Sequence, residues 1–151
     1  MNNERPQLGW REWLSLPDLG ITRVKAKIDT GARTSALHTF FIEPYHENGL
    51  TMVRFGVHPL RKRQQPELIC NAPVHDQRSI SDSGGHREER YIIQTAIRLG
   101  SCLRTIEISL TNRENMRFRM LLGRSAMHKV LVLPDQSYLC GRPTSNWNQQ
   151  K

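Results

Sequence analysis

Lys27-Ile28-Asp29-Thr30-Gly31-Ala32-Arg33-Thr34-Ser35-Ala36-Leu37 is the stretch on which the reading of this chain turns. Just upstream, Val24-Lys25-Ala26-Lys27-Ile28 alternates apolar and basic residues. That is the period-two signature of a half-buried strand, and this strand delivers Asp29 at its end. Asp followed two residues on by Gly is also an ordinary turn, so the motif gains weight only from what its chemistry requires. Gly31 has no Cβ and lets the backbone turn sharply. The small Ala32 leaves room for another backbone, and the Thr30 hydroxyl is placed to reach a second copy of the loop. One carboxylate cannot both activate a water and protonate a leaving amine. Two held about 3 Å apart can, because they share one proton and split the two roles. The chain carries a single Asp-Thr-Gly, so this chemistry demands a two-fold homodimer with Asp29 from each copy.

Period two dominates elsewhere. Thr51 to Val57 predicts a strand, and Tyr91–Leu99 with Leu103–Leu110 predicts a hairpin around Gly100-Ser101. Met116 to Leu122 alternates again. Val130–Leu133 and Ser137–Leu139 flank Pro134-Asp135, which reads as a hairpin turn. Trp10 to Leu16 fits a helical turn or a strand, stopped by Pro17-Asp18. Arg124 to Lys129 predicts one short helix after Gly123. The region from Pro59 to Glu89 is polar, basic and interrupted by Pro66 and Pro73. It is expected to form long loops or an excursion from the sheet. Many short strands separated by turn signals make an all-β barrel or sandwich the expected fold class.

The chain has 151 residues, enough for one domain with a real core. Residues 1–143 are expected to form it, with a flexible polar tail over 144–151. A net charge of +8 is spread along the chain rather than gathered in a tail. Such a field attracts acidic peptides, nucleic acid or anionic membranes alike, and no aromatic-and-basic recognition motif singles out nucleic acid. The segment from Met1 to Gly9 is polar, with no apolar core of a signal peptide. No run of apolar residues is long enough for a spanning helix. Cys70, Cys102 and Cys140 are odd in number and widely spaced, which suits reduced thiols in a cytoplasmic protein.

A second feature reinforces the first. Met120-Leu121-Leu122-Gly123-Arg124 is an apolar strand ending in Gly-Arg. An apolar strand into Asp-Thr-Gly-Ala, a Gly-rich excursion, then an apolar run into Gly-Arg and a short helix resembles the order of a retropepsin subunit. Gly9-Trp10-Arg11-Glu12-Trp13, Lys25 through His38, Glu88-Glu89-Arg90-Tyr91 and Met116 through Arg124 together resemble one bacterial group. That group is the retropepsin-like aspartic proteases often labelled ATP-dependent zinc proteases, and the resemblance covers the chain from about Leu8 to Gly141.

The resemblance implies an all-β closed barrel with one short helix in its C-terminal half, and an aspartic endopeptidase acting as a homodimer. It implies catalysis by Asp29, Thr30 and Gly31 and a flap at Gly84-Gly85 that closes over substrate, while Ala32, Arg33 and Arg124 are substrate-binding candidates on their own chemistry. Members resemble the protein encoded beside ligases that add glutamate tails to a ribosomal protein. An acidic or glutamylated substrate follows from that association. The alternative is a non-catalytic binding or regulatory module that keeps the protease fold.

Retropepsins commonly place an acidic residue after Asp-Thr-Gly-Ala, paired with the arginine of Gly-Arg; here that position is Arg33. Ser125 replaces the usual asparagine. Arg124 must therefore find another carboxylate, such as Glu43 or Glu107, or form with Arg33 an electropositive rim suited to carboxylates. Neither zinc nor ATP is supported by a motif. There is no His-Glu-x-x-His and no Gly-x-x-x-x-Gly-Lys-Ser/Thr. No cofactor and no metal ligand is assigned, although a site assembled in space from His38, His75 or Cys70 stays open at this stage.

Overall fold

The computed structural model describes residues 5–60, 67–81, 84–113 and 117–141. The tail expected over 144–151 lies outside them. The strands are β1 (Gln7–Leu8), β2 (Arg11–Leu16), β3 (Ile21–Ile28), β4 (Ser35–His38), β5 (Phe41–Glu47) and β6 (Leu50–Val57). They continue with β7 (Leu68–Pro73), β8 (Asp76–Ser81), β9 (Arg87–Leu99), β10 (Cys102–Thr111), β11 (Met120–Leu122) and β12 (Leu131–Val132). Six of them pair in the order β10-β4-β11-β3-β2-β9, and β9 pairs back on β10, so the barrel closes. Strand β8 is added outside β9, β5-β6-β7 form a second sheet, and β1 pairs with β12 in parallel.

The alternation in β3 is realised as expected. Val24 and Ala26 are fully buried and Ile28 nearly so, while Arg23 and Lys27 are exposed. Leu14, Leu37, Ile93, Ile97, Ile108, Met120 and Leu122 close over them, and Phe55 and Val57 of the second sheet join the same cluster. A fully buried Leu or Ile contributes about 1.5–3 kcal/mol, so these inward positions carry the barrel. The β9–β10 hairpin turns at Gly100-Ser101 with Gly100 at φ 62°, a conformation that favours glycine.

Four expectations are corrected. The hairpin around Pro134-Asp135 does not form. Residues 131–132 pair instead with β1, and the backbone N–H groups of Leu139 and Cys140 are taken by the buried Glu12 carboxylate. The stretch from Pro59 to Glu89 is not only loop, because β7 completes the second sheet and β8 pairs along β9. Residues 117–119 lie outside a strand, and the alternation expected from Met116 is paired only over Met120–Leu122. The helix expected over Arg124–Lys129 is one 3-10 turn, Arg124–Ala126. Its first N–H groups are engaged by the Asp29 loop, and Lys129 sits at φ 57°, which ends any helical course.

Candidate active site

Strand β11 is inserted between β3 and β4, parallel to one and antiparallel to the other. It therefore brings Gly123-Arg124 against the loop that follows β3. The Asp29 N–H donates to the Leu122 carbonyl at 2.9 Å, which continues the β3–β11 ladder by one step. Beyond it, the Ala32 carbonyl accepts from the Arg124 N–H at 2.7 Å and the Arg33 carbonyl from the Ser125 N–H at 2.9 Å. The crossing is tight. A Cβ on Gly123 would meet the Thr34 carbonyl carbon at 2.6 Å and the Ser35 nitrogen at 2.8 Å. The Gly123 N–H donates to the Ser35 hydroxyl at 2.9 Å, and the Ser109 hydroxyl donates to the Ser35 carbonyl at 3.1 Å. Both serines are buried, so β11, β4 and β10 are locked together beneath the loop.

Within the loop the Gly31 N–H donates to Asp29 Oδ1 at 3.1 Å, and the Ala32 N–H donates to the Asp29 carbonyl at 3.2 Å. Gly31 does not adopt a left-handed φ. Its need for glycine is spatial, since a Cβ there would sit 3.3 Å from Asp29 Oδ1 and press on the carboxylate. Asp29 is half-buried while Thr30, Gly31 and Arg33 are exposed. The loop is thus anchored by its backbone and opens to solvent through its side chains.

Arg124 donates from Nη1 to the Thr30 carbonyl at 2.9 Å. The carboxylates expected to pair with it are engaged elsewhere: Glu107 is gripped by Arg78 and His75, and Glu43 lies 4.0 Å from Arg54. The guanidinium therefore supports the Asp-Thr-Gly backbone itself. Gly84 and Gly85 fall in the turn joining β8 to β9, with Gly85 at φ 84°. The paired strands run up to Ser81 opposite Arg87. The geometry brings Asp29, Thr30, Gly31, Ala32, Arg33 and Arg124 into one constellation, and sets Gly84-Gly85 on a separate hairpin.

The candidate metal donors do not converge. Cys70 Sγ donates to the Leu19 carbonyl, and burial pushes its thiol up to about 11. His75 lies 3.1 Å from Glu107, and His38 is buried at the end of β4. Among the described residues no group of three His, Cys, Asp or Glu side chains is arranged to hold a metal.

Sequence reasoning missed Ser35, Ser109 and Glu12. Glu12 is fully buried and accepts from the N–H groups of Gly9, Leu139 and Cys140 at 2.6–2.9 Å. An acidic residue between Trp10 and Trp13, in a segment read as a helical turn or a strand, was the available signal.

With strand, tight crossing and anchored Asp-Thr-Gly-Ala in place, residues 7–143 match the RimB-like retropepsin-like aspartic endopeptidases. The chain belongs to that family. A crystal structure of a protein of unknown function from Legionella pneumophila superposes with a TM-score of 0.76 at 26% identity, covering 91% of this chain and 99% of that one. Relatives named "Probable alpha-L-glutamate ligase" are 41% identical over 142 residues in Shewanella pealeana and 43% over 126 residues in Desulfotalea psychrophila. The matches take up 93% and 83% of this chain, and it spans only 31% and 27% of those relatives. Among the described residues no helix is long and apolar enough to cross a membrane.

Proposed function

We propose that this RimB-like chain is an aspartic-type peptidase that works as a homodimer on acidic, glutamate-rich peptides. The observation that carries the reading is the Asp29 loop: a half-buried carboxylate, oriented by the Gly31 N–H, on a backbone held by β11 and Arg124. Rigid placement is what proton transfer needs. A second Asp29 from a two-fold partner completes the chemistry. With the two carboxylates sharing one proton, the ionised one removes a proton from water as its oxygen attacks the scissile carbonyl carbon. The protonated one hydrogen-bonds the carbonyl oxygen as it becomes the oxyanion, and a proton then passes to the leaving nitrogen as the C–N bond breaks. Thr30 and Gly31 hold the loop, and Ala32 and Arg33 border the substrate. The hairpin carrying Gly84-Gly85 serves as a lid. The names of the relatives support the substrate class, because a protein that removes glutamate suits a partner that adds it.

The same relatives support a second reading, in which the domain only binds glutamylated product beside a ligase. Asp29→Asn separates the two. The peptidase reading expects cleavage of a glutamate-tailed peptide to vanish while the fold and dimer persist. Cleavage that survives Asp29→Asn and dies with a chelator overturns it. Tight binding without cleavage by the unaltered chain selects the second reading.

A further inference from the structure

Some cations of this protein are held by carboxylates, and others, on several strands, form no ion pair among the described residues. Arg54, Arg78, Arg90 and Arg113 each lie against a carboxylate, on β6, β8, β9 or just after β10. No ion pair formed among the described residues involves Arg11, Arg23, Lys25, Lys27, Arg33 or Arg124. The first four of these lie on β2 and β3. Alternation turns Val24, Ala26 and Ile28 into the barrel and leaves Arg23, Lys25 and Lys27 on the outer face. Across the ladder, Arg11 stands opposite Lys27, and Trp13 opposite Lys25. The Arg11 guanidinium lies over the Trp10 and Tyr138 rings and donates to the Ser137 hydroxyl, which leaves the positive charge of this face without a carboxylate.

We infer that the outer face of β2 and β3 is a docking track that feeds an extended acidic peptide to Asp29. This rests on the peptidase reading of the same site. The spacing supports it: alternate residues of a strand recur at about 6.6 Å, so Arg23, Lys25 and Lys27 form a ladder of that period. An extended oligoglutamate presents the carboxylates of alternate residues at the same period. Lys27 is two residues before Asp29, so the ladder runs directly into the loop, where Arg33 and Arg124 continue the positive field. The track favours a peptide over nucleic acid because its aromatic ring is occupied. Trp13 stacks on Tyr138 at 6.3 Å between centroids, and Lys25 and Arg23 stand 5.3 and 5.9 Å from its ring. Tyr138 and these cations already take up the contacts that a base would need on that ring.

The test uses the full chain with Asp29→Asn, which prevents turnover, and fluorescence anisotropy of a labelled oligoglutamate peptide. Arg23→Gln/Lys25→Gln/Lys27→Gln is expected to weaken binding by about tenfold or more and to flatten its salt dependence. Arg54→Gln, in the other sheet, is expected to leave binding unchanged. Circular dichroism and the thermal midpoint check folding, and the single Lys27→Gln serves if the triple variant does not fold. Equal affinity of triple variant and parent overturns the track, as does a parent that prefers labelled oligothymidylate to oligoglutamate. Cleavage of an uncharged peptide, lost with Asp29→Asn, tests the peptidase reading independently. The two ideas can therefore fail separately.

Discussion

His38 closes the Asp-Thr-Gly-Ala string's strand, and its surroundings set a pH limit on the whole fold. The ring is 4% exposed, and neither nitrogen has a hydrogen-bond partner. Burial first, then the positive charges of Arg90, Arg119 and Arg113, hold its pKa down to about 4 from the ordinary 6.5. Thr111 is its neighbour across the ladder, and the Arg119 carbonyl receives its backbone N–H. Protonation would place a further cation among arginines in a dry interior. The unfolded chain takes up this proton near pH 6.5 and the folded one only near 4, so between those values the unfolded state binds more protons. Stability is therefore full above pH 6.5 and falls as the pH drops toward 4. The gap is worth about 3 kcal/mol in full, of which about 2 kcal/mol is lost by pH 5. Urea denaturation at pH 7 and pH 5, at one fixed protein concentration so that association cancels, measures this. His38→Gln cannot titrate and is expected to lose about 2 kcal/mol less than the parent across the same interval. The Asp76 and Glu107 carboxyls, which hydrogen bonds from Arg78 hold below the usual range, act at lower pH and are common to both proteins. Equal losses in parent and variant would refute the reasoning.

The crossing of β11 over β4 makes a sharp contrast between two glycines. Gly123→Ala drives a Cβ into the Thr34–Ser35 backbone and is expected to lose about 3 kcal/mol in urea denaturation. Gly31→Ala, whose Cβ meets only the Asp29 carboxylate at 3.3 Å, is expected to keep the fold and lower turnover in a peptide-cleavage assay. Glu12→Ala strands the N–H groups of Gly9, Leu139 and Cys140 in the interior. It is expected to cost about 3–5 kcal/mol by the same denaturation measurement. It also brings the Cys140 thiol down from about 12, because Glu12 adds its charge and hydrogen bond to the burial that raises it. Thiolate absorbance against pH reads that change.

Local pattern reached far into this protein. The alternation of Val24 to Ile28 placed β3 and its inward face, Gly100-Ser101 placed the long hairpin, and the Asp29 string with Gly123-Arg124 marked the loop that the crossing strand supports. Period two is a property of one strand at a time, and so it survives in a linear reading. Asn48-Gly49, with both residues at positive φ between β5 and β6, was an equally local signal for a hairpin that went unread. Other features were decided only in three dimensions. The partner of β1 is β12, more than a hundred residues away, rather than a neighbour across Pro134-Asp135. Arg124 reaches the Thr30 carbonyl and Glu107 is held by Arg78, pairings between groups distant in the chain. The placing of Arg11 opposite Lys27 likewise exists only once β2 lies beside β3. Each of these depends on which strands become neighbours, and closing a barrel settles that through the shared burial of every inward face.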